Sequence, residues 1–276
     1  MPLVYGVRAG AFERAGVKVE LTRTASGAGT LAGVVGGALD IGVSSMLSIV
    51  LGRVHGVPFT IVAPMGLWLP DSEGGLLVAA SSSLRTAPGF VGKTVSAAAV
   101  NDISDLAMRV WMDRNGADSQ SVKVLELPQS AAQAALEQGR VDGIAVTDPV
   151  FAAAVASDKV RFVANIYSAI SRRYLLGGLV ATTQWVEQNR AAAERFARVI
   201  AQTSNYVNGH AAETLQDVVD WSGLDRSLLA HMKRTVYVPG LSAAEIQPVI
   251  DVAVHYKVFE KAFPATDLIS DAAVKA

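Results

Sequence analysis

One device occurs twice in this chain. Gly37-Ala38-Leu39-Asp40-Ile41-Gly42-Val43-Ser44 and Gly139-Arg140-Val141-Asp142-Gly143-Ile144-Ala145-Val146-Thr147-Asp148 each read as the glycine end of a helix, a GxxD turn, a short apolar strand and a polar cap for the next helix. A short, uniformly apolar strand is buried on both faces, so helices must cover it on both sides. Two copies of the device therefore constrain the fold to two α/β halves, and 276 residues suffice for both.

In chain order, Ala9 to Gly16 predicts a short helix closed by glycine, and Val17-Lys18-Val19-Glu20-Leu21 alternates as a strand does. The small-residue stretch from Thr24 to Ser45 then supplies a loop, a helix with the face Leu31, Val34, Val35 and Ala38, the first GxxD strand, and Ser44-Ser45. Those serines cap a helix carrying Leu47, Val50, Leu51 and Val54. Phe59 to Ala63 and Leu76 to Ala79 are apolar strands, with Met65 and Trp68 in the loop between them. The alternation predicts a mostly parallel sheet flanked by helices.

Ser81 to Gly92 is rich in small and breaker residues and reads as a crossing. After it come a strand at Thr94 to Ala98, a helix capped by Asn101-Asp102 with the face Ile103, Leu106, Ala107, Val110 and Trp111, and strands at Val122 to Leu127, Gly143 to Thr147 and Val160 to Ile166. Asp148-Pro149 is a helix start with proline at the first position. Gly177 to Thr182 is a returning strand. Beyond about residue 183 no strand is expected: Phe196, Val199, Ile200, Thr203 and Val207 form one long helical face, and Ser242-Ala243-Ala244-Glu245 is a capping box.

Composition removes several function classes. Lysine plus arginine number 24 against 25 acidic residues, and no basic run exceeds Arg172-Arg173, so nucleic acid is not an expected partner. With no cysteine there is no disulfide, thiolate metal site or cysteine nucleophile. His55, His210, His231 and His255 lack HExxH spacing, there is no GxSxG elbow, and no metal or cofactor is expected. Gly27-Ala28-Gly29-Thr30-Leu31-Ala32 matches the loose dinucleotide pattern, but the following strand ends in Ser44-Ser45 where that site needs an acidic residue. Gly92-Lys93-Thr94 leads into a strand and is a turn.

What remains is a set of helix N-termini: Ser26 to Thr30, Ser44-Ser45, Asn101-Asp102 and Asp148-Pro149. Each would direct backbone N–H groups out of the carboxyl end of a strand, where open α/β sheets bind ligands. An anion there gains about 0.3–1 kcal/mol per helix dipole. Asp102 and Asp148 would oppose an anion and favour an amine or ring N–H. Each of these residues is equally an ordinary cap when taken alone.

The order of segments resembles the substrate-binding proteins of ABC transporters in the nitrate, sulfonate and taurine class. The residues carrying the resemblance are AGAFERAGVKVEL at Ala9 to Leu21, SGAGTL at Ser26 to Leu31, GALDIGVSS at Gly37 to Ser45, GKTV at Gly92 to Val95, ALEQGRVDG at Ala135 to Gly143 with Pro149 beyond, and GGLVATTQWVEQN at Gly177 to Asn189. The resemblance implies a two-lobed periplasmic-binding-protein fold with two crossings, residues 1–84 and 178–276 forming one lobe and 85–177 the other. It implies a non-catalytic, monomeric periplasmic or extracellular protein that presents a small organic anion or zwitterion to an ABC permease and its ATPase. Its ligand loops would contain Ser26, Gly27, Ser44, Ser45, Met46, Met65, Asn101, Asp102 and Asp148; from the residues themselves, Thr30 joins the first helix N-terminus and Trp68 and Tyr174 are candidate aromatic walls. The resemblance further implies an export signal and a first strand upstream of Met1.

The rival expectation is a cytoplasmic enzyme of the same fold acting on a small cyclic metabolite, such as a thiamine-pyrimidine or menaquinone precursor. It would depend on Asp102 and Asp148, the titratable candidates, without the cysteine-rich motif of thiamine-pyrimidine relatives. A ligand-sensing domain without a transporter is the third.

Overall fold

The computed structural model describes every residue except Ala25, which belongs to the small-residue sequence stretch Thr24 to Ser45. The chain forms two compact units. The first comprises Met1–Leu67, Tyr174–Arg226 and Arg234–Ala276, and the second Trp68–Arg173 and Ser227–Lys233. The strands in chain order are β1 (Gly42–Ser45), β2 (Phe59–Pro64), β3 (Gly66–Trp68), β4 (Gly74–Ala79), β5 (Thr94–Ala97) and β6 (Lys123–Glu126). They continue with β7 (Gly143–Thr147), β8 (Val160–Ala164), β9 (Tyr174–Leu175), β10 (Gly177–Thr182) and β11 (Val236–Tyr237).

In the first unit the strand order is β1-β10-β2, and β10 runs antiparallel to both neighbours. β1 and β2 therefore share a direction, and the returning strand lies between them reversed. Gly177 is required there, since a Cβ at that position would lie 2.3 Å from the Ser44 carbonyl oxygen. The 20-residue helix Arg190–Gly209 buries Phe196, Val199, Ile200, Thr203 and Val207, the predicted face. Phe196 stacks on Phe12 with ring centroids 5.2 Å apart, in a core that includes Val62, Leu179 and Ala181.

The second unit holds a five-stranded sheet in the order β6-β5-β7-β4-β8. β5 is parallel to β6 and β7, whereas β4 is antiparallel to β7 and β8, so four strands run one way and β4 opposes them. The β1-β10-β2 sheet and the five-stranded sheet are thus each mixed with a single reversed strand that adjoins a crossing, and a third, three-stranded sheet has the order β11-β3-β9. Ile103, Leu106, Ala107 and Val110 are buried on the helix Ile103–Arg114 as predicted.

Several expectations are corrected. β4 is hydrogen-bonded into the second unit, so the chain leaves the first unit at Leu67 and not near residue 84, and Ser227–Lys233 returns to the second unit a further time. Val17 and Val19 pack against the core between exposed Lys18 and Glu20, but Leu21 is exposed and the stretch joins no sheet among the described residues. Alternation encodes burial, and pairing needs a partner strand as well. The helix after Ser26 ends at Val35, leaving Val35 exposed, because Gly36 and Gly37 terminate it before Ala38. β11, beyond residue 183, pairs with β3 through Val236↔Leu67 and Tyr237↔Gly66, and two residues are too few to show alternation. Ser242 makes no side-chain cap bond, so the capping box is not realised.

Candidate functional site

In the first unit, the sequence-predicted loops converge. Ser26 caps the helix Gly27–Val35, its hydroxyl accepting the Gly29 N–H at 3.1 Å. Thr30 anchors the same turn through the Ser26 carbonyl at 3.0 Å and the Thr24 hydroxyl at 2.5 Å. Ser45 caps the second helix, Met46–Val54, accepting the Ser48 N–H at 3.2 Å. Between them Ser44 is buried at the end of β1, and its hydroxyl donates to the Gly27 carbonyl at 3.4 Å. A Cβ on Gly27 would lie 2.9 Å from that hydroxyl, so glycine lets the two loops touch. Two nine-residue helices thus begin side by side, and both caps are uncharged. The first-turn N–H groups of a helix have no intrahelical partner and carry its positive dipole end.

The second unit brings Asn101, Asp102 and Asp148 to the carboxyl ends of β5 and β7, and there the acceptors at the helix starts are carboxyl side chains. Asp102 is buried and caps Ile103–Arg114, accepting from Ser104 N–H at 2.8 Å, Asp105 N–H at 3.2 Å and the Ser104 hydroxyl. Burial nevertheless pushes its carboxyl above the usual range, because desolvation outweighs those donors. Asn101 stands in the left-handed region at φ 58, its N–H donating to Asp105 at 2.9 Å. Asp148 accepts from the Ala152 N–H at 3.2 Å. The predicted proline position shifts here: Pro149 is the N-cap residue, and the helix Val150–Val155 has only six residues. Burial, then the negative charge of Glu73, pushes Asp148 up to about 7.

Three candidates with large side chains are buried. Met46 is fully buried in the first unit, and its N–H donates to the Leu176 carbonyl at 2.9 Å. Tyr174 is fully buried. Trp68 is 1 % exposed, lies 4.9 Å from the Tyr167 ring, and donates its Nε1–H to Ser168 at 3.0 Å. Met65 is half-buried against the first unit's core. None of the three buried residues stands in a loop: Met46 opens the helix Met46–Val54, Trp68 ends β3 and Tyr174 opens β9. The residues that sequence reasoning passed over are Ser104, Tyr167 and Glu73. Ser104 was legible as the second residue after a capping Asp; Glu73 had only its place before Gly74-Gly75, at the mouth of a strand, to mark it.

Among the described residues there is no group of three or more His, Asp or Glu able to hold a metal ion, and no helix is long and apolar enough to cross a membrane.

The model of the NMT1-like family matches residues 1–223. A Bacillus subtilis (strain 168) protein described as "Putative aliphatic sulfonates-binding protein" is 22 % identical over 270 residues, covering 96 % of this chain and 80 % of the relative. The alkanesulfonate-binding protein SsuA of Xanthomonas axonopodis pv. citri, bound to MOPS, superposes with a TM-score of 0.80 at 18 % identity, covering all of this chain and 94 % of SsuA. The desulfurization enzyme DszB superposes at 0.71 and 11 % identity, covering 98 % of this chain and 93 % of the enzyme. The fold is the generic periplasmic-binding-protein fold, and it hosts both binding proteins and an enzyme.

Proposed function

Because the chain belongs to the NMT1-like family, whose model spans residues 1–223, we propose that it is the solute-binding component of an ABC importer, capturing a small organic sulfonate outside the cytoplasm and presenting it to a permease and its ATPase. The observation that carries this reading is the pair of adjacent helix N-termini in the first unit, capped by the neutral hydroxyls of Ser26 and Ser45 and joined by Ser44 and Gly27. A tetrahedral oxyanion group suits such a pair, since each N-terminus offers aligned N–H donors and about half a positive charge. The sulfonate-binding relatives in Bacillus subtilis and Xanthomonas support the ligand class. The enzymatic reading has less support. The DszB form crystallised with biphenyl-2-sulfinic acid carries a cysteine-to-serine change, and this chain contains no cysteine at all.

Calorimetry with MOPS, taurine and short alkanesulfonates, each beside its carboxylate counterpart, tests the proposal. A sulfonate is expected to bind more tightly than the matching carboxylate, and at 100 times its Kd to stabilise the fold by about 2.7 kcal/mol. Absence of heat and of any thermal shift with all of them would overturn it, as would consumption of the bound ligand.

A further inference from the structure

The loop that leaves β4 brings two arginines to the same pair of carbonyls. Arg85 donates through Nη1 to the carbonyl oxygens of Ser82 and Leu84, and Arg161, on β8, donates through Nη2 to the same two oxygens. The strand register puts Arg161 there: it pairs with Val78 in β4, and the Ala80 N–H donates to the Lys159 carbonyl at 2.8 Å just beyond. β4 runs antiparallel to β7, with Gly74 beside Thr147, so the loop after Ala79 lies at the opposite end of the sheet from Asp102 and Asp148. The arginine pair is therefore separate from the helix starts already described.

Two guanidiniums on one pair of neutral oxygens repel each other. Among the described residues neither is ion-paired with a carboxylate, and Lys159, two residues before Arg161, is already paired with Glu137 at 3.0 Å. Burial, then the charge of Arg85, lowers the pKa of Arg161, so the fold holds this cation against a penalty. One arginine would suffice to tie the two carbonyls together. The second adds only repulsion unless something negative takes up the donors that remain. Arg85 is exposed and uses Nη1 alone, which leaves its Nε–H and Nη2–H groups for an outside acceptor. The exposed Ser81 and Ser83 add hydroxyls on the same loop. A planar fork of N–H donors matches the oxygens of a phosphate-like group better than it matches single carbonyls.

We propose that loop 81–85 and Arg161 form a further binding site, for a doubly charged tetrahedral oxyanion group, phosphate or a phosphate ester, that bridges the Arg85 and Arg161 guanidiniums.

Titration of the isotope-labelled protein with inorganic phosphate at low ionic strength, followed by backbone amide shifts, reads the site residue by residue. The amides of 82–85 and of Arg161 are expected to shift together and to saturate. Arg85→Gln should weaken the affinity by about tenfold, and Arg85→Lys, which restores the charge without the fork, should fall between the two. Arg161→Lys keeps the charge on β8 and should weaken binding independently. Lys159→Gln removes one positive charge nearby and should change the affinity by less than about twofold. Glycerol 3-phosphate in place of phosphate distinguishes the two forms of the group: tighter binding assigns the site to an ester, equal or weaker binding to the free ion. Absence of saturable shifts in 82–85 would overturn the proposal. So would shifts confined to the Ser26 and Ser45 turns, which would report the first unit's helix ends alone. An affinity unchanged in Arg85→Gln, or reduced as much in Lys159→Gln as in Arg85→Gln, would also overturn it, the last being the mark of diffuse surface charge.

Discussion

The two units present the same kind of element, a helix starting at the carboxyl end of a strand, with opposite chemistry at its cap. In the first unit Ser26 and Ser45 satisfy one N–H each and add no charge, so the positive dipole ends remain available to a ligand. In the second unit Asp102 takes two N–H groups of its helix, and Asp148, just ahead of the cap residue Pro149, takes one from a helix of only six residues. A carboxylate at a cap cancels the dipole that an anion would use. The difference teaches that a cap pattern alone does not identify an anion site: Ser and Asp are nearly equal as helix starts and opposite as ligand contacts.

The largest expected effect tests whether the second unit's loop end is packed structure. Trp68 is fully buried against Tyr167 and hydrogen-bonded to Ser168. Trp68→Ala should destabilise by about 3–5 kcal/mol, through the cavity and the orphaned Ser168 partner. Denaturant unfolding followed by circular dichroism measures it. A loss below about 1 kcal/mol would mean that the indole is dispensable to packing and returns Trp68 to the list of ligand walls.

Much of this was legible in the residues themselves. The long face from Phe196 to Val207 and the face from Ile103 to Val110 are buried as their spacing dictates, because a 3.6-residue repeat leaves a helix one way to hide them. The serine caps at 26 and 45 were legible for the same local reason. What the sequence concealed depends on contacts between distant segments. Nothing local says that β4 joins β7, that β11 pairs with Gly66 and Leu67, or that Glu73 accepts the N–H of Lys233. Burial of Met46, Trp68 and Tyr174 is likewise set by what the tertiary fold lays over them.

The next effect in size exchanges the chemistry of the two kinds of cap. Ser26→Asp keeps an excellent N-cap acceptor for the Gly29 N–H, so the helix Gly27–Val35 should be as stable as before or slightly more so. Sulfonate affinity should nevertheless fall by about a hundredfold, equivalent to about 2.7 kcal/mol, because a carboxylate now sits where the anion would. Titration calorimetry beside a melting curve separates the two quantities. Unchanged affinity would remove the Ser26 turn from the site and break the contrast drawn between the units.

The smallest effect asks whether Asp102 needs its charge. Its carboxyl is raised above 3.8, with burial the leading cause. For such a group the folded state holds its proton over a pH range in which the unfolded chain has lost it, so stability falls as pH climbs from about the unfolded value through the raised one. Asp102→Asn keeps an oxygen to accept from Ser104 and Asp105 and removes the charge that burial opposes. The variant should lie within about 1 kcal/mol of the parent. Its relative stability should improve with pH from near 4 upward and stop improving above the raised value. Paired melts from pH 3 to 8 decide it. If the variant instead weakens as pH rises, the three donors around Asp102 stabilise a carboxylate more than burial penalises it. The second unit would then hold a fixed negative charge at the very position where the first unit leaves its helix ends uncharged.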